Sequence, residues 1–147
     1  MSSQAVQAQI VECQAKIFEL EDSIRQLQTL VETLKSELAA FIQEKTSFWD
    51  TFTQKKGRVH TIATIAGEMV IAKKYSEYQD AQFQEEHIFI NKLEYVESTM
   101  RKEIEQDENK LSMNENELRN LKNRLGHLMD EYHDALGREA EEAARFA

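Results

Sequence analysis

The chain has no proline, four glycines and a single cysteine in 147 residues. Without proline, and with so little glycine, the punctuation that a turn-rich sheet protein needs is missing, so long helices are expected. One cysteine excludes an internal disulfide, which fits a reducing compartment. Long apolar runs are lacking as well, and Met1-Ser2-Ser3-Gln4-Ala5 carries no basic stretch. Neither a membrane span nor a signal peptide is expected, so a cytoplasmic protein is the default, with signal-less export alongside a partner left open. Positive charge is scarce: 18 Lys and Arg stand against 27 Asp and Glu, a net charge of −9. That balance repels phosphate backbones, so no nucleic-acid partner is expected.

What the chain does have is a heptad pattern. With Ile10 at position a, the a series reads Ile10, Ile17, Ile24, Val31, Leu38, Lys45, Phe52, and the d series reads Val6, Cys13, Leu20, Leu27, Leu34, Phe41, Phe48. Apolar residues at this spacing, with charged and amide side chains between them, form a helix that buries one stripe against another helix. The pattern predicts helix 1 over about 5–55, roughly 75 Å at ~1.5 Å per residue. Lys55-Lys56-Gly57-Arg58 offers cations for a helix C-terminus and a glycine for the residue after it, so the turn is expected over about 56–67. Helix 2 is then expected over about 68–145. The fold class is all-α: one elongated antiparallel helical hairpin or coiled coil, forming a single helical unit.

Helix 2 continues the heptad less cleanly. Its a and d positions include Ser76, Gln79, Glu86, Glu97, Asp107 and Asn114, while Tyr75, Tyr78, Phe89, Tyr95 and Val96 form an apolar row beside them. This predicts that the contact face rotates or the register stutters mid-helix, leaving Asp107 and Asn114 in water. A break near 107–114 is the alternative, since Ser112-x-x-Glu115 has the form of a capping box. About 78 residues of helix 2 would face only about 50 of helix 1. Leu121, Leu125, Leu128 and Tyr132 are therefore expected to need cover from another chain.

The partner expectation has two further supports. β-Branched a positions with leucine at d favour a two-stranded dimer, whereas Leu30, Ile42 and Trp49 widen the stripe toward a bundle of several helices. Phe48, Trp49 and Phe52 crowd the predicted reversal, with Ile62 and Ile65 just beyond it. They form either the core of the hairpin tip or an exposed tip that docks a partner. Between Lys55 and Lys74, five cations (Lys55, Lys56, Arg58, Lys73, Lys74) accompany only Glu68, making this the basic part of an acidic chain.

Catalytic, cofactor and metal motifs are not found. Paired Glu-x-x-His motifs are reduced to a lone Asp130-x-x-His133, and Cys13 sits on the seam, where a thiol behaves as a small hydrophobe. No Gly-rich phosphate loop or triad spacing occurs. The reading is a non-enzymatic helical interaction protein without cofactor. It binds a helical polypeptide or self-associates as a tether, spacer or assembly subunit.

The outline of a helix, an aromatic cluster with Trp49 near a glycine-bearing turn, and a second helix resembles the small helical-hairpin proteins of Gram-positive type VII secretion. These include the WXG-type proteins and the partners of LXG toxins. Trp49-Asp50-Thr51 stands where that family has Trp-x-Gly, and Tyr132 has Leu136 at the fourth following position instead of an acid. The resemblance implies an accessory or targeting partner that pairs its helices with the helical region of a secreted effector.

Overall fold

The computed structural model describes the backbone of residues 1–66 and 70–146, and the side chains of residues 1–61, 74 and 77–146. The described residues form two helices: α1 (Ser3–Ala66, 64 residues) and α2 (Val70–Phe146, 77 residues). They pair antiparallel as a helical hairpin. The chain divides into two compact units, each built from a stretch of both helices: unit 1 from Met1–Val31 with Gln106–Ala147, unit 2 from Glu32–Glu105.

α1 does not end at residue 55. Gly57, expected at the reversal, is a helical residue inside α1, and the chain is helical through the expected turn as far as Ala66. The last residue of that turn and the first two expected of helix 2 lie outside the described residues. Gly57 faces open space, so it carries only the propensity cost of about 1 kcal/mol. Two residues later Val59 is buried. Val59 lies one heptad beyond Phe52, so the a series runs on past the glycine and its burial holds the helix together.

In α2 the register also holds. Among the described residues of α2, every side chain that is not exposed falls on the a and d positions of one unbroken heptad, from Gln79 to Ala135. The expected rotation or stutter is absent, and so is the break near 107–114, because α2 is continuous. Ser112-x-x-Glu115 lacks an accompanying glycine or proline, and Leu111, Asn114 and Leu118 keep the seam in step across it. The polar residues do not turn to water: Gln79, Glu86, Glu97 and Asn114 are half-buried and Asp107 is only 8% exposed. The apolar neighbours Tyr78, Phe89, Tyr95 and Val96 are the exposed ones. Long side chains can lie along a seam by burying their stems and turning their heads outward, which keeps a polar residue at a seam position tolerable. Ser76 and Tyr75 have side chains outside the described set.

Unit 1 has an aliphatic seam. Val6, Ile10, Cys13, Ile17 and Leu128 form its buried cluster, with Leu118, Leu121, Leu125 and Tyr132 packed against it. Its end is closed by capping. Ser2 Oγ accepts from the Ala5 amide at 3.2 Å, and the Glu139 carboxylate accepts from the Ser3 amide at 2.9 Å and the Ser3 hydroxyl at 2.7 Å. A carboxylate from α2 thus meets the positive end of α1. These bonds hold the Glu139 carboxyl below the usual carboxylate range.

Unit 2 has an aromatic seam with an ion pair in it. Phe52, Val59, Phe83 and Ile90 form the buried cluster and Phe48 packs on it. Phe52 meets Phe83 edge-on at 5.5 Å, and Phe48 meets Phe89 at 5.3 Å in the same manner. Such pairs add about 0.5–1.5 kcal/mol beyond their burial.

Candidate interaction surface

The residues expected to meet a partner divide into three groups. Leu121, Leu125, Leu128 and Tyr132 are not left uncovered: they pack on Val6, Ile10, Cys13 and Ile17 of the same chain, with Leu128 fully part of the core. The expected surplus of helix 2 came from ending helix 1 too early. A 64-residue α1 beginning at Ser3 reaches this end of α2, and the Cys13 thiol donates to the Leu121 carbonyl at 3.4 Å. Phe48 and Phe52 are core residues of unit 2. Trp49 is different: its indole leans on Phe52 at 5.6 Å yet stays 43% exposed. Ile62 and Ile65 lie on helical backbone, and their side chains are outside the described residues.

The polar centre of unit 2 is built across the seam. Lys45, an a residue of α1, donates to Glu97, an a residue of α2, at 2.8 Å, and Arg101 approaches the other carboxylate oxygen at 3.4 Å. The Lys45 hydrogen bond is the chief reason the Glu97 carboxyl is held below the usual carboxylate range, with partial burial opposing it. Beside this pair an open groove of about 230 Å³ is lined by Lys45, Thr46, Trp49, Ile90 and Glu94.

The face of α2 in unit 2 away from its buried cluster is apolar as well. Ile88 and Tyr95 occupy f positions and are 57% and 74% exposed, while Phe89 and Val96 follow them at g, 49% and 42% exposed. Spacings of one, seven and eight residues place all four on one stripe of about two turns. Phe89 also reaches the hairpin contact, its ring edge-on to Phe48 of α1, in keeping with the apolar row expected beside the seam, whereas Tyr95 and Val96 take no part in the buried cluster. A strict a/d register places Tyr95 and Val96 outside the seam and leaves Phe89 at its edge.

No family model, curated protein or solved structure matches the chain. Its chemistry therefore rests on its own residues. Lys55, Lys56, Arg58 and Lys74 of the basic segment are exposed, while Lys73 and Glu68 lie outside the described side chains. Among the described residues no group of three His, Cys, Asp or Glu side chains is gathered for a metal ion. No helix among them is long and apolar enough to cross a membrane.

Proposed function

We propose that the protein is a non-enzymatic helical interaction protein that packs the outer stripe of α2, Ile88, Phe89, Tyr95 and Val96, against a helix of another polypeptide chain. One observation carries this reading: the stripe is apolar at heptad spacing, and apart from the edge contact of Phe89 with Phe48 its side chains take no part in the hairpin's buried cluster. Large exposed apolar side chains gathered on one helix face of a highly charged protein, here on either side of Glu85 and Lys92, mark an interaction surface. Recognition would be of the helix-against-helix kind, in which anchors one heptad apart enter the spaces between turns of the facing helix. A cytoplasmic site of action agrees with the acidic composition. A narrower role, as accessory or targeting partner of a type VII secretion effector, rests on the hairpin architecture alone, and Trp49 lies well inside α1, away from the chain reversal.

The test pairs retention with substitution. Ile88→Gln/Tyr95→Gln replaces the two most exposed anchors without touching the seam, so helicity by circular dichroism should stay at the wild-type level. Tagged wild-type protein in its native cells should hold a polypeptide that the double variant releases, with cross-links from that chain mapping to Lys92. Equal retention by both proteins would remove the stripe from the function.

A further inference from the structure

The stripe also contains charges that identify its occupant. Glu85 and Lys92 occupy successive c positions, between the f and g residues, so they lie along the middle of the apolar face, about 10 Å apart. Both are exposed, and neither forms an ion pair within the chain among the described residues. Two opposite charges set one heptad apart, with Ile88 and Phe89 midway between them, make a pattern that complements itself when the helix is turned end over end. Facing a copy of itself in parallel, the same helix would set Glu85 on Glu85 and Lys92 on Lys92.

We propose that the occupant of the stripe is a second copy of this chain, lying antiparallel, with a two-fold axis passing between Ile88 and Phe89. Ile88 then faces the partner's Phe89, Glu85 faces the partner's Lys92, and the reciprocal contacts follow by symmetry. Val96 falls opposite the partner's Ala81, a large side chain against a small one, and Tyr95 falls opposite the partner's Gln82. The two hairpins would form a four-helix arrangement in which α2 carries two seams, a/d toward its own α1 and f/c/g toward the other α2. This deepens the proposed function, whose stripe it uses, by naming the polypeptide that the stripe meets.

Sedimentation equilibrium at micromolar concentration should give twice the 17.1 kDa chain mass. Glu85→Lys or Lys92→Glu alone should weaken the dimer roughly tenfold, because each substitution replaces two attractions with two repulsions of ordinary surface strength. The double exchange should restore it to within about twofold. In a Cys13→Ala background, Ile88→Cys should cross-link under mild oxidation and Tyr95→Cys should not, since only residues near the axis meet their own copies. A mass of one chain at all concentrations overturns the inference, as does a dimer that charge exchange fails to rescue or one cross-linked equally at both positions. The reading beneath it is tested separately by Ile88→Gln/Tyr95→Gln. A dimer indifferent to that change overturns the inference, and equal retention of a polypeptide by wild type and double variant overturns the function of the stripe. A single-chain mass with partner retention that still needs Ile88 and Tyr95 overturns the inference alone.

Discussion

Unit 1 and unit 2 are made from the same two helices in the same heptad register, yet they use it differently. In unit 1 the seam is aliphatic, and its exposed apolar side chains also recur one heptad apart, Val11 with Phe18 on α1 and Met129 with Leu136 on α2, but each as a single row of two. Unit 2 places Phe48, Phe52 and Phe83 inside, sets Lys45 against Glu97 in the same seam, and puts Ile88, Phe89, Tyr95 and Val96 on its outer face. Two adjacent exposed apolar rows on one helix distinguish unit 2, which is why the interaction surface is assigned to it.

The sharpest way to break this comparison is to remove one core side chain from each unit. Phe83→Ala should cost about 4 kcal/mol and Ile17→Ala about 3 kcal/mol. Amide exchange should accelerate mainly in 32–105 for the first and mainly in 1–31 and 106–147 for the second. Uniform acceleration in both cases would mean that the units unfold as one.

A smaller effect separates the ion pair from the aromatics. Lys45→Met leaves the Glu97 carboxylate partly buried with only Arg101 beside it, and should cost about 1–2 kcal/mol by chemical denaturation. Lys45→Met combined with Glu97→Leu should return to wild-type stability or exceed it, because an apolar pair avoids desolvating two charges. If the double variant is as unstable as the single, the pair is worth more than its desolvation.

Acid titration sharpens the same point. The Glu97 carboxyl has a folded pKa below its ordinary 4.5, so its contribution is fully present above pH 4.5 and is lost as the pH falls through the folded value. The melting temperature of the wild type should therefore fall more steeply below pH 4.5 than that of the double variant. Smallest of all is Glu139→Gln, which weakens the cap on Ser3. It should raise exchange of the first-turn amides of α1 while leaving the global unfolding transition in place. Lowering the pH below about 4.5 should do the same to the wild type, since Glu139 also titrates below its ordinary value.

The all-α hairpin was legible because thirteen of fourteen seam positions in helix 1 are apolar and no proline interrupts them. The errors share one physical cause, which is that local signals were weighed above the continuity of the register. Gly57 with its neighbouring cations resembles a helix end, but Val59 at the next a position contributes more by burial than the glycine costs. Gln79, Glu86 and Asp107 resemble surface residues, yet α1 supplies a facing stripe all along unit 2 and unit 1, and a helix cannot rotate one part of its face away without unwinding the rest. Stopping helix 1 early also produced the unfilled length of helix 2, and with it a partner surface at Leu121, Leu125, Leu128 and Tyr132 that the N-terminal turns of α1 occupy. The outer stripe of unit 2 was visible as residues but not as a surface, because that distinction depends on which face meets α1.

The cross-helix bonds have a kinetic consequence. Lys45 and Glu97 are separated by 52 residues, Cys13 and Leu121 by 108, and Ser3 and Glu139 by 136. The chain entropy lost on closing a loop grows only logarithmically, so going from 52 to 136 residues adds about 0.9 kcal/mol to a first closure made directly. If closure begins near Lys45 and Glu97, each later contact toward the termini closes only a short additional segment. Folding is then expected to zip outward from unit 2, and the Ser3 bond to Glu139 is the last to form and the first to reopen.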